Sequence, residues 1–249
     1  NFSTESHNMS PTNERHIDIP AAYGVNTMTE YRYQGEKLAP EQRKSRMQSQ
    51  RNKMQEQPPM ARVMNFSEVN LGYDAETAVA EAKRCLGCPT APCVGGCPVH
   101  VKVPEFLDSI ANGDFMEAAR IVMKDNALPA VTGRVCPQEI QCEGPCTQTK
   151  AGQGPVGIGY LERFVADYER NSNQTCCFDV SESSGHKVAV VGSGPGGLRV
   201  AADAARAGHE VHIFEALHDP GGVLVYGIPE FRLPNDIIPY EIQRLQDMG

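Results

Sequence analysis

Residues 85–98 read CLGCPTAPCVGGCP, and a second run, VCPQEIQCEGPC, occupies residues 135–146. The first places Cys85, Cys88, Cys93 and Cys97 in the spacing C-x2-C-x4-C-x3-C-P, and the second supplies Cys136, Cys142 and Cys146. An iron–sulfur cluster needs several thiolates converging on one small cage, and closely spaced loop cysteines provide them. In a ferredoxin run of this kind the cysteine before the proline ligates the other cluster. Cys85, Cys88 and Cys93 are therefore expected at one cluster and Cys97 at a second. Two [4Fe–4S] clusters take four ligands each, and the two runs supply seven cysteines, so the remaining ligand need not be cysteine. The competing reading is a zinc-binding interaction module, since C-x2-C with another pair makes a structural zinc site. Seven cysteines with a C-x3-C-P ending favour clusters. Cys176 and Cys177, adjacent in a polar stretch, read as ordinary thiols.

Outward from the cysteines the pattern is helical. Asp74 caps a helix that carries Ala75, Val79 and Ala82 on one side and ends near Cys85. A second helix opens at Pro104 and stops at Gly113. A third follows, with Asp114 and Glu117 as an acidic variant of the capping box. A fourth covers roughly 157–170, with Ile158, Leu161, Val165 and Tyr168 on one stripe. No alternating strand pattern is present between residues 74 and 170, so this region is expected to be a helical domain with cysteine loops.

The polar stretch 171–186 breaks the helical period. Beyond it, KVAVV (187–191) reads as a short buried strand, followed by a glycine turn, a helix to about Ala207, and a second strand, EVHIF. This is the start of a βαβ unit. The turn, VVGSGPGGL, sets Gly192, Gly194 and Gly197 in G-x-G-x-x-G spacing. Gly192 allows the tight turn, Gly194 lets the backbone approach a pyrophosphate, and Gly197 permits close helix–strand packing. Glu215, at the end of the second strand, is placed to accept hydrogen bonds from a ribose. The pattern indicates dinucleotide binding without separating FAD from NAD.

A net charge of −8 argues against a general nucleic-acid binder. No apolar run is long enough to span a membrane, and the polar N-terminal stretch NFSTESHNMS is no signal peptide. An intracellular, cytoplasmic protein is expected, in which nine cysteines serve as ligands rather than disulfides. Residues 1–60 read as an extension. Its stretch 41–57 is rich in Gln, Arg and Lys and cannot fold alone, which leaves a solvated arm or an arm that docks on a partner subunit.

The motifs EAKRCLGCPTAPCVGGCPVHVKVPEF (81–106), GRVCPQEIQCEGPC (133–146), VGIGYLERF (156–164), VAVVGSGPGGL (188–198) and GGVLVYGIPEFRLP (221–234) resemble, in order and spacing, the small subunit of NADPH-dependent glutamate synthase. They are equally similar to the FAD subunit of NADH-dependent ferredoxin:NADP oxidoreductase and to the N-terminal part of dihydropyrimidine dehydrogenase. The resemblance implies an α-helical double [4Fe–4S] cluster domain (61–178), a linker (179–186) and the first part of an α/β Rossmann-like FAD-binding domain (187–249). It implies Cys85, Cys88, Cys93 and Cys146 at one cluster. At the other it implies Cys97, Cys136 and Cys142, completed by Glu162, which stands where the family has Glu or Gln. For FAD it implies Gly192, Ser193, Gly194, Pro195, Gly196, Gly197 and Leu198 at the pyrophosphate and Glu215 at the ribose. Gly221, Gly222, Val223 and Arg232 match the segment that approaches the flavin.

Family members continue into a second Rossmann domain for NADP(H), whose glycine loop is expected beyond Gly249. The chain, which does not begin with Met, is therefore expected to be a fragment or a short subunit. The implied function is electron relay between FAD and the two clusters, with no side chain serving as an acid–base catalyst. The implied partner is the glutamate synthase large subunit or its counterpart in a ferredoxin:NADP oxidoreductase, with ferredoxin as a possible further partner. The alternative is an iron–sulfur scaffold in a larger redox complex.

Overall fold

The computed structural model describes residues 31–172 and 178–248. Residues 1–30, half of the expected extension, and Cys176 and Cys177 lie outside them. From Arg32 onward the chain forms one compact unit.

The first elements are α1 (Pro40–Gln48), β1 (Gln55–Glu56), α2 (Pro59–Arg62) and β2 (Asn70–Gly72), with β1 and β2 paired antiparallel. They do not form a free arm. Asn52 donates from its backbone N–H and from Nδ2 to Glu81 (2.7 and 2.8 Å), and Arg51 pairs with Glu143 at 2.6 Å. The polar composition that rules out independent folding is satisfied by groups of the same chain, so the segment docks on the cysteine region.

Helices α3 (Ala75–Ala82), α4 (Pro92–Gly96), α5 (Val103–Ala111), α6 (Phe115–Asp125), α7 (Pro129–Val135), α8 (Thr147–Lys150) and α9 (Ile158–Asn171) follow. Asp74 caps α3 by accepting from Thr77 N at 2.7 Å, and Asp114 caps α6 by accepting from Glu117 N at 3.4 Å. The apolar stripes meet in one core. Phe106, Leu107 and Ile110 of α5 face Ala118, Ala119 and Val122 of α6, with Leu161 and Val165 of α9 also buried. Each large side chain buried this way contributes about 1.5–3 kcal/mol. Helices α7 and α9 pack most closely at Gly133, where a Cβ would fall 2.6 Å from Arg163 N.

The last part holds β3 (Lys187–Val191), α10 (Pro195–Arg206), β4 (Glu210–Phe214), α11 (Val223–Tyr226) and α12 (Ile237–Gln246). β3 and β4 run parallel, with Lys187 opposite Glu210 and Val191 opposite Phe214. The expectation of a buried strand fails for β3. Only Val190 is buried, while Val191 is 87% exposed, because α10 covers one face of this two-stranded sheet and no described element covers the other.

The polar stretch does not leave the two parts independent. Ala127, Leu128, Ala130, Val131 and Ala166 share one core with Leu198, Ala202, Leu233, Ile237 and Ile238. Arg199 and Arg206 of α10 donate to the carbonyls of Asp125 (2.6 Å), Met123 (2.5 Å) and Lys124 (2.9 Å). Those carbonyls close α6, so the two guanidinium groups satisfy its orphan acceptors and the negative end of its dipole.

Candidate functional site: two cysteine cradles and a glycine turn

Cys85, Cys88, Cys93 and Cys146 line one cavity. Cys85 follows the end of α3, Cys93 sits in α4, and Cys146 immediately precedes α8, so three short helices aim their loop sulfurs at a common space. Burial pushes the Cys85 thiol up to about 11, and the neighbouring sulfurs of Cys88 and Cys146 add to the effect. The Cys93 thiol is raised for the same reasons. Thiols raised in this way stay protonated near neutral pH, and a metal that binds them removes their protons.

Cys97, Cys136 and Cys142 form a second group around Glu162. Burial raises the Cys136 thiol to about 11, followed by the charges of Glu162 and Cys97. Burial and then Glu162 likewise raise Cys142, and Glu162 contributes at Cys97 as well. The Glu162 carboxyl is pushed up to about 7 by burial, against hydrogen bonds from Thr132 and Asn126 that lower it. Both bonds fall on one oxygen: Thr132 Oγ1 donates to Oε1, and Asn126 Nδ2 donates to it at 2.9 Å. That leaves Oε2 free to act as a single-oxygen ligand.

The expected ligands thus come together in two sets of four. Among the described residues no group of three or more His, Cys, Asp or Glu side chains converges tightly enough for one metal ion. The two loops touch at Gly96, where a Cβ would lie 2.6 Å from Gln141 O. Gly96 precedes a ligand of the second set, and Gln141 precedes another.

Sequence reading missed Asn126, Thr132 and Gly133, which fix Glu162, and Gln148, which lines the first cavity. Gln148 donates to Arg46 O at 2.8 Å and Arg84 O at 2.7 Å. No local spacing marks these residues, since their partners are distant in sequence.

At the glycine turn, Gly192 has φ +92°, and a Cβ on Gly197 would fall 2.0 Å from Gly192 O. The turn and the close helix–strand packing therefore both need glycine. Around Gly194 and Gly196 a Cβ would meet nothing within 4 Å, so the backbone there is open to a ligand. With Pro195 these residues start α10, whose first N–H groups have no helical partner and favour an anion. Leu198 instead turns into the core and donates its N–H to Gly194 O at 2.9 Å; it anchors the helix.

Ser193 is buried and joins three segments. Its N–H (2.9 Å) and hydroxyl donate to Glu215 Oε2, and its Oγ accepts from Gly221 N at 2.9 Å. Glu215 also accepts from Ala216 N (2.7 Å) and Leu217 N (2.9 Å). The Ser193 hydroxyl, then these backbone donors, hold its carboxyl down at about 2, so it stays an anionic acceptor. Gly222 lies against the turn, where a Cβ would come 2.9 Å from Gly194 Cα. Val223 opens α11 beside it and is exposed. Arg232 is exposed in the turn closed by its own N–H to Pro229 O at 2.8 Å, and none of its described contacts joins it to the glycine turn.

Residues 62–174 match the family model described as dihydropyrimidine dehydrogenase domain II, 4Fe-4S cluster, and residues 190–238 match an NAD(P)-binding Rossmann-like domain. The NAD-dependent dihydropyrimidine dehydrogenase subunit PreT of Escherichia coli (strain K12) is 38% identical over 184 residues, covering 74% of this chain and 44% of that protein. The glutamate synthase [NADPH] small chain of Azospirillum brasilense is 33% identical over 192 residues, covering 77% and 40%. The putative oxidoreductase UacF of Escherichia coli (strain K12) is 36% identical over 189 residues, covering 76% and 29%. The chain spans less than half the length of the curated relatives it matches. Among the described residues no helix is long and apolar enough to cross a membrane.

Proposed function

On the premise that this chain is a homologue of PreT and of the glutamate synthase small chain, we propose that it is an electron-relay segment of an NAD(P)H-dependent oxidoreductase, holding two [4Fe–4S] clusters and FAD. The observation that carries this reading is the division of the expected ligands into two cradles, Cys85, Cys88, Cys93 and Cys146 on one side and Cys97, Cys136, Cys142 and Glu162 on the other.

When bound, the clusters supply one-electron chemistry and the flavin exchanges electron pairs for single electrons. The chain's own residues bind and orient. The thiolates hold iron, and Glu162 offers Oε2 while Thr132 and Asn126 fix Oε1. Gly194 and Gly196 give the pyrophosphate room at the start of α10, and Glu215, kept ionised, accepts from ribose hydroxyls. FAD rather than NAD at this turn rests on the family resemblance of residues 188–234. The relatives' names include NADPH and NAD, and a nicotinamide donor and a partner redox subunit of glutamate synthase or ferredoxin:NADP oxidoreductase type belong to the same proposal.

The test is elemental analysis of protein purified anaerobically. About eight iron and about eight acid-labile sulfide per chain are expected for two [4Fe–4S] clusters. Stoichiometric zinc in place of iron would refute the reading.

A further inference from the structure

The N-terminal segment docks chiefly on one of the two cradles. Arg46 of α1 donates to Cys85 O at 2.7 Å, and Arg43 donates to Leu86 O at 3.3 Å. Tyr33 N donates to Pro89 O at 3.2 Å. Each of these acceptors lies within the Cys85–Cys93 run. The contact is stapled from beneath by Gln148, whose amide bonds both Arg46 O and Arg84 O. Gln148 is 1% exposed, and its Oε1 is a buried acceptor without a protein partner.

Charged groups stand near both cradles. Arg84, next to Cys85, is neutralised by Glu81 at 2.7 Å, both fully buried. Arg43 and Arg46 take part in no ion pair among the described residues, and the charge of Arg46 reaches the Cys85 sulfur; the Asp108 and Glu105 carboxylates of α5 act at Tyr33, as does Cys85. At the second cradle Glu143, next to Cys142, is neutralised by Arg51 at 2.6 Å. The carboxyl felt by all three cysteines there is that of Glu162, the fourth member of the same set.

We propose that α1 is an electrostatic cover for the first cradle, in which Arg46, assisted by Arg43, raises the reduction potential of the cluster held by Cys85, Cys88, Cys93 and Cys146. This rests on the cluster reading above. A reduced cluster carries one more negative charge than its oxidised form, so a fixed guanidinium nearby favours reduction and a fixed carboxylate opposes it. Net charge, hydrogen bonding and exposure are the levers by which a protein sets such potentials, and a partly buried site screens them less than bulk water does. Arg46 acts through the Cys85 backbone and through space, without touching the cluster.

The experiment is an anaerobic redox titration of the full chain followed by electron paramagnetic resonance, with iron counted in every sample. The signal abolished by Cys88→Ala is assigned to the first cradle. In Arg46→Gln that signal should titrate at a lower potential than in the wild type, with the second signal unmoved. Arg46→Lys, which keeps the charge, should restore most of the difference. If Arg46→Gln loses iron from the first cradle, Arg43→Gln is judged by the same criterion. An unchanged or higher first potential, or an equal shift of both signals, overturns the proposal. A wild-type protein without iron defeats the cluster reading itself, so the two failures are distinguishable.

Discussion

In the cysteine region, the eight candidate ligands run from Cys85 to Glu162 and come together only because α3, α7 and α9 pack around them. In the glycine turn, everything from Gly192 to Gly222 closes on itself through Ser193, Glu215 and Gly221. The first site is half-buried and made of side chains that need each other. The second is open and made largely of backbone. A site of the first kind responds to any change in the packing that aims its ligands. A site of the second kind separates into positions that hold the turn and positions that only face the ligand.

The largest effect is expected at Glu162. Replacing it by alanine removes Oε2 and leaves Asn126 and Thr132 without their shared acceptor. Glu162→Ala should lose or alter the cluster beside Cys97, Cys136 and Cys142 while the other persists, read as a fall in iron content or a change in one of two resonance signals. Two unchanged signals would show that Glu162 is no ligand and that the second cradle closes differently.

Next come the two kinds of glycine in one turn. Gly197→Ala drives a Cβ to 2.0 Å from Gly192 O. It should cost about 1–3 kcal/mol or more, as overpacking does, measured by thermal denaturation. A Cβ at Gly194 meets nothing within 4 Å and the backbone there is already extended, so Gly194→Val should cost about 1 kcal/mol or less, the usual cost of losing a good N-cap residue. It should nevertheless abolish dinucleotide binding, read by flavin absorbance, with both clusters retained. Equal destabilisation by the two variants would erase the distinction between turn-holding and ligand-facing positions.

The smallest effect is expected where the two regions join. Glu241 of α12 accepts from Ala130 N at 3.0 Å. Arg244 Nη1 approaches its Oε2 to 3.0 Å without the geometry of a hydrogen bond. Burial raises the Glu241 carboxyl to about 7, and the nearby Glu169 carboxylate adds to the effect against Arg244. Its pKa is higher folded than unfolded, where a glutamate titrates near about 4.3. Its contribution to stability is therefore fully present below about 4.3 and lost as pH rises through about 7. Melting temperature should fall between about pH 4.3 and about pH 7, and Glu241→Gln, which cannot ionise, should flatten that part of the profile. An identical slope in the variant would place the titrating group elsewhere.

Much of this was legible in the chain. The caps at Asp74 and Asp114 and the helices over 103–111, 115–125 and 158–171 follow from nearest-neighbour patterns that the structure keeps. So does the strand–turn–helix–strand order of 187–214. Burial of β3 was misread because an apolar run states what a strand could bury, and only its neighbours decide whether it does. The arm was misread for a related reason. Its Arg, Gln and Asn side chains look solvent-loving in sequence, yet their partners are carbonyls and carboxylates of the cysteine region.

The sequence by itself determined the chemistry on offer: seven spaced cysteines, a carboxylate on the following helix, and a glycine turn in which Gly192 and Gly197 are forced by backbone geometry within a few residues. Tertiary structure alone decided which sulfurs share a cavity, which oxygen of Glu162 is left for a ligand, and that α1 covers the first cradle. It also decided that α10 locks the nucleotide fold to the end of α6. The reason is range. Turns, caps and helices are set by hydrogen bonds between near neighbours, whereas these pairings, such as Gln148 with Arg46 across 102 positions, exist only once the helices between them have packed.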